Sequence, residues 1–146
     1  MATTTTANVA KNTVLKIDNA GGTLTDISGT SNSVSFDFTN TTEKASVFGD
    51  SNPLVFEGPK DDKISAKGLF STTSTEAYFL LDAWSASGGA RSIQVDTPNS
   101  SAGSKRYTAE VYLQNLKLGE LDASSAKPIM WSAEFVPSGG ITRATI

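Results

Sequence analysis

Neither cysteine nor histidine occurs in these 146 residues. Without cysteine there is no disulfide framework and no thiolate metal site, and nothing suggests an oxidising compartment. Without histidine the usual general base and the usual zinc ligand are missing, and with them every Ser-His or Cys-His nucleophile arrangement. The formal charge is −3 and the basic residues are scattered. The basic face that sequence-independent nucleic-acid binding needs is therefore not expected. No apolar run approaches membrane-spanning length, so no membrane partner is expected. The start, Met1-Ala2-Thr3-Thr4, has no charged segment followed by an apolar run, so it does not read as a signal peptide. A chain made and kept in a cytoplasm is the expectation. No P-loop, G-x-G-x-x-G or G-x-S-x-G pattern occurs either.

What is present is Thr, Ser and Gly in abundance, with few helical patterns, which suits a β protein with many turns. One domain spanning 1–146 is the natural reading at this length. Residues 1–12 are small and polar without periodicity, and read as a flexible arm. Residues 13–19 alternate, with Leu15 and Ile17 on one face; Gly21-Gly22 then predicts a hairpin turn into 23–28. In 33–39, Val34, Phe36 and Phe38 are expected to face the core, and Ser33, Ser35 and Asp37 to face outward. In 62–70, Ile64, Ala66, Gly68 and Phe70 share a face, with Gly68 marking a bulge or a close approach.

The spacing of Ala77, Leu80, Leu81 and Trp84 predicts the one helix, over 74–84, with Thr73 and Glu76 as a capping box and Ser87-Gly88-Gly89 as its end. Ile93 and Val95 mark a strand over 91–97. The longest β signal is 105–118, with Tyr107, Ala109, Val111 and Leu113 inward. Its apolar phase changes past Asn115, which is what a β-bulge produces. The last strand, 128–136, turns Ile129, Trp131, Ala133 and Phe135 to the core, and a short tail closes the chain over 138–146. About seven or eight strands and one helix make a mainly β fold, a β-sandwich or small barrel with one flanking helix.

Residues 39–60 interrupt this pattern. A connection of that length in a small domain is usually functional or disordered, and its apolar residues argue against disorder. Phe48 sits among polar residues, and Leu54, Val55 and Phe56 form a second apolar cluster before Gly58-Pro59. A protruding loop or hairpin that docks on a neighbouring subunit explains both features, with Asp50 accepting hydrogen bonds there or pairing with a basic residue.

Catalytic and ligand sites are hard to find. Asp61 and Asp62 with Asp50 and Asn52 resemble a calcium cluster only loosely, and solvated loop carboxylates are the better reading. Glu110 and Glu134 are the best carboxylate pair for glycoside hydrolysis, but nothing around them suggests a cleft. Trp84 and Trp131 lie in apolar stripes and read as core. No enzyme activity, metal or cofactor is expected. The outward faces, with Asp37, Glu110, Gln114 and Glu134 among small polar residues, suit an ordinary wet sheet face or the wall of a water-filled channel. An acidic or neutral wall would repel a passing polyanion.

Several pieces, in order, resemble the major tail protein, the tail tube subunit, of long-tailed bacteriophages or related phage-derived particles. They are Leu15-Lys16-Ile17-Asp18 with the Gly-Gly turn, Val34-Ser35-Phe36, Phe48-Gly49-Asp50-Ser51 and Ile64-Ser65-Ala66-Lys67-Gly68. Trp131-Ser132-Ala133-Glu134-Phe135 and Gly140-Ile141-Thr142-Arg143 complete the set. The resemblance spans nearly the whole chain. It implies a structural virion protein that self-assembles into stacked, commonly hexameric rings, forming a hollow tube through which DNA passes without specific binding. It implies that 39–60 reaches the adjacent ring, that the termini help, and that tail terminator, tape measure and tail tip proteins are partners. The place of work would be the virion tail, after assembly in the bacterial host cytoplasm. The alternative is a carbohydrate-binding β-sandwich module of an adhesin or fibre, with Tyr78, Tyr107 and Tyr112 as the platform.

Overall fold

The computed structural model describes residues 13–49, 51–97, 104–124 and 126–145. The strands are β1 (Val14–Asp18), β2 (Leu24–Asp26), β3 (Ser31–Asp37), β4 (Asn40–Ala45), β5 (Leu54–Lys60), β6 (Lys63–Leu69), β7 (Ala90–Asp96), β8 (Lys105–Leu118), β9 (Met130–Pro137) and β10 (Thr142–Thr145). A 3-10 turn, Ser28–Thr30, precedes β3, and the helix α1 covers Ala77–Ser87.

One antiparallel sheet runs in the order β2-β1-β7-β8-β9-β6-β3, with β10 also on β8. Its two halves meet at β8. The first part of that strand, Arg106 to Tyr112, pairs with β7, and its last part, Val111 to Leu118, pairs with β9. The register shifts between Leu113 and Asn115, so Gln114 is the extra residue of a bulge. A bulge bends and twists its strand, which lets one sheet fold over on itself as two layers. The change of apolar phase in 105–118 is this bulge.

Alternation then decides what is inside. Leu15 and Ile17 of β1, Ile93 and Val95 of β7, and Ala109 and Val111 of β8 are buried in one layer. Ile64 and Ala66 of β6, and Trp131, Ala133 and Phe135 of β9, are buried opposite them, and all belong to one core. The helix closes the core with Ala77, Leu81 and Trp84. Trp84 stacks on Phe135, with ring centroids 5.5 Å apart. Both tryptophan N–H groups find backbone acceptors, Trp84 on Gly89 O at 2.8 Å and Trp131 on Leu69 O at 3.0 Å. Core packing is thus their role, as their stripes implied.

The first hairpin forms as expected. Asn19 Oδ1 accepts from the Gly21 and Thr23 amides at 2.9 and 3.1 Å, and Gly22 has a φ of 79° that favours glycine.

Three expectations are corrected. The helix begins three residues late and the capping box does not form, since the Glu76 side chain makes no cap bond. The Ala77 amide donates instead to Thr30 Oγ1 at 3.2 Å, a partner 47 residues away. Thr30→Val should therefore cost about 1 kcal/mol, read as a lower urea midpoint at unchanged slope. Phe38 does not enter the core and is 38% exposed, while Val34 and Phe36 are only partly buried. The reason is that β3 is the edge of the sheet, where inward-pointing side chains reach the rim. There Phe38 lies flat on Phe36 at 5.6 Å, both tilt on Tyr107, and the Arg143 guanidinium covers Phe38 at 4.3 Å. Phe70 falls just beyond β6 and packs edge-on to Tyr78 at 4.9 Å, outside the core.

Candidate assembly interface

Residues 40–60 form a separate two-stranded sheet, with β4 antiparallel to β5. The register sets Ala45 opposite Leu54, Lys44 opposite Val55 and Glu43 opposite Phe56. Strand alternation therefore puts Leu54 and Phe56 on one face and Val55 with Lys44 on the other. All three apolar residues are exposed, and so are Val47 and Phe48 at the tip. An isolated two-stranded hairpin is marginal in water, and apolar side chains on both faces raise the need for a covering surface. Asp50 lies outside the described residues.

The base of the hairpin is anchored. The buried Asp62 accepts the Thr39 amide at 3.1 Å, and the Asp61 amide donates to Thr39 O at 2.9 Å. Thr41 Oγ1 donates to Pro59 O, and a Cβ on Gly58 would meet that hydroxyl at 2.6 Å. Asp62 thus holds the hairpin on the sandwich, a role that its turn-like sequence setting did not reveal.

The outward sheet face brings several of the expected wall residues together. Asp37 pairs in register with Lys63, Ser65 with Glu134, and Glu134 with Asn115 beside the bulged Gln114. Lys63 Nζ reaches Glu134 Oε2 at 3.6 Å. Lys67 and Lys117 flank Ser132 on the same face. The face is therefore of mixed sign and not acidic, because these lysines alternate outward in step with the carboxylates. Glu110 stands apart, opposite Ser92, whose hydroxyl donates to its carboxylate. About five residues of β8 separate it from the rung of Glu134, roughly 15 Å. Each carboxylate already has a partner, so the two do not form a hydrolytic pair.

The three tyrosines do not make a platform. Tyr107 lies under Phe36 and Phe38, Tyr112 is exposed on the outward face of β8, and Tyr78 is engaged with Phe70. Sequence alternation also missed a buried carboxylate, Asp96, held by Arg106 through Nε at 2.7 Å and Nη2 at 3.1 Å. The hydrogen bond to Asp96 holds the Arg106 guanidinium above its usual range.

At the far end of β6 and β9, residues 119–123 and 127–130 border an open hollow of about 690 Å³. Leu121, Pro128, Ile129 and Met130 line it together with Glu120, Asp122 and Lys127. Ile129 precedes β9 and faces this hollow, not the core expected for it. The Ser124 amide, then its hydroxyl, hold the Asp122 carboxyl below the usual carboxylate range.

No family model matches the chain, and no curated protein matches it. Solved structures do. A chain from the tail of an empty GTA particle, refined helically with C6 symmetry, is 14% identical at a TM-score of 0.74, covering 95% of this chain and 100% of its own. A chain from the sheath/tube terminator of PVC, an extracellular contractile injection system in its extended state, is 15% identical at 0.73, covering 99% and 100%. The SPP1 tail tube is 7% identical at 0.67, covering 94% of this chain and 79% of its own. With a mainly β sandwich flanked by α1, and a hairpin standing off it, the described chain has the tail tube fold.

Proposed function

We propose that this chain is a structural subunit that assembles with copies of itself into stacked rings, forming the hollow tail tube of a virion or a phage-derived particle. The observation that carries the reading is the anchored hairpin 40–60, with Phe48, Leu54, Val55 and Phe56 in solvent on a fold shared with tail tubes. Burial of these side chains against a neighbouring ring supplies an apolar driving force of about 25 cal/mol per Å². Asp50, which follows Gly49 in the sequence, accepts hydrogen bonds from that neighbour in this reading. Rings of six are favoured by the C6 symmetry of the similar GTA tail.

The mixed-sign sheet face with Asp37, Gln114 and Glu134 lines the lumen, and Glu110 continues it across β8. Its lysines and carboxylates offset one another, so DNA passes without a continuous basic track to hold it. The tube ends are met by terminator, tape measure and tip proteins, and assembly takes place in the host cytoplasm. No catalysis and no cofactor enter this role. The parting of the three tyrosines leaves the sugar-binding alternative without a surface.

Phe48→Ala tests the loop. An exposed substitution should change stability by no more than about 0.5 kcal/mol, so the melting curve should match wild type. Negative-stain microscopy should show few and short tubes. Tubes of normal length from this variant would remove the hairpin from the interface.

A further inference from the structure

The hairpin and the loop hollow lie at opposite ends of the sandwich. The hairpin springs from the end where Asp37 pairs with Lys63. The hollow sits where Leu69 pairs with Met130 and Leu118 with Trp131. The length of β6 separates them, seven residues or roughly 20 Å. A surface at one end that fits a surface at the other gives a head-to-tail contact, which does not close on itself and so builds filaments.

We infer that the hollow bordered by 119–123 and 127–130 is the seat of the hairpin tip of a second copy of this chain. This rests on the tube reading and names the receptor within it. The chemistry of the two surfaces agrees. Phe48 and Val47 are apolar side chains held out in solvent at the tip. Leu121, Pro128, Ile129 and Met130 offer an apolar lining, with Leu121 itself 65% exposed. The volume of about 690 Å³ admits a phenyl group and its neighbours. Around that lining stand the carboxylates of Glu120 and Asp122 with the ammonium of Lys127, two acids to one base, and Lys44, followed outward only by Ala45, lies one rung from the hairpin turn with Glu43 behind it. A cation near an apolar tip therefore meets an apolar hollow whose rim is net acidic by one charge.

The loop is also shaped in advance. Ser124 donates twice to Asp122 Oδ1, at 3.0 and 2.8 Å, and the Gly119 amide bonds Met130 O at 2.7 Å. A preformed seat loses less entropy when it is filled.

The absence of native cysteine makes the test direct. The double variant Phe48→Cys with Leu121→Cys is assembled, oxidised and run on a non-reducing gel, with tubes checked by microscopy. Both positions are exposed, so folding should be unaffected. The expected result is a ladder of covalent multimers well beyond a dimer, absent from either single variant and from Phe48→Cys paired with Ser92→Cys. Tubes without the ladder would overturn this seat and leave the tube reading standing. A product stopping at dimer would show a closed, self-complementary contact and overturn it too. Failure of the wild-type chain to form tubes or rings would overturn the tube reading, and this contact with it. As a second measurement, Lys44→Glu should reduce tube yield at least tenfold, with partial recovery on adding Glu120→Lys; no recovery would reject the charge pairing.

Discussion

Gly68→Ala is expected to leave a chain that does not fold at room temperature. Gly68 is the last residue but one of β6, buried where the sheet meets the 3-10 turn. An added Cβ would overlap the Thr30 carbonyl oxygen and lie 2.6 Å from Cζ2 and 2.7 Å from Cε2 of Trp131. Neither neighbour can yield easily. Trp131 is fully buried and tied to Leu69 O through its indole N–H. Thr30 belongs to the turn that caps α1 through Ala77. Moving the turn uncaps the helix, and moving the indole opens the core. Overpacking of a core typically costs 1–3 kcal/mol. Here the clash is with backbone, so the cost should approach the net stability of a small domain, about 5–15 kcal/mol. Circular dichroism with urea titration decides it, and a cooperative transition near the wild-type midpoint would refute the argument. Assembly should be lost together with the fold, unlike Phe48→Ala, which should separate the two.

Trp84→Ala should cost about 3–5 kcal/mol. This side chain is wholly buried and carries the contact between α1 and β9 through Phe135. It also anchors the helix end through Gly89 O, and the Arg91 guanidinium lies 5.3 Å from its ring. Truncation leaves a cavity and an unpaired carbonyl together. Trp84→Phe keeps a ring against Phe135 and loses mainly the hydrogen bond, so it should cost about 1–2 kcal/mol. Equal losses from the two variants, measured by urea midpoint at constant slope, would show that packing against Phe135 contributes little. Neither variant touches the hairpin, so whatever remains folded should still assemble.

The extent to which such positions were readable differs by the range of the forces involved. Trp84 and Trp131 were legible as core because apolar periodicity is local. Gly68 was legible as a close approach, since a glycine inside a strand seldom has another reason. The bulge at Gln114 showed as a change of phase, and the hairpin 40–60 showed as apolar residues in an overlong connection. Within the candidate interface, Phe48 and the Leu54 to Phe56 cluster lie exposed on the hairpin. The hollow lined by residues 119–123 and 127–130 was not legible, and Ile129 within it was expected on the core face of the last strand. That hollow depends on where β8 and β9 end relative to each other, which no window of sequence contains.

Local pattern determined most of the strands and inward faces, the presence of the helix and the protruding segment, because side-chain alternation and turn chemistry act over a few residues; β10, which pairs with β8, lies in what read as a tail. The tertiary structure decided what depends on distant partners. Placing β3 at the sheet edge left Phe38 at the rim beneath Arg143. A threonine 47 residues away replaced Glu76 as the helix cap. Neighbouring strands set Lys63, Lys67 and Lys117 among the outward carboxylates, and Arg106 made the burial of Asp96 tolerable. Each of these is a pairing across the sheet or between layers. Such pairings are chosen by the register of whole strands, and that register is settled only when the sheet closes over its core.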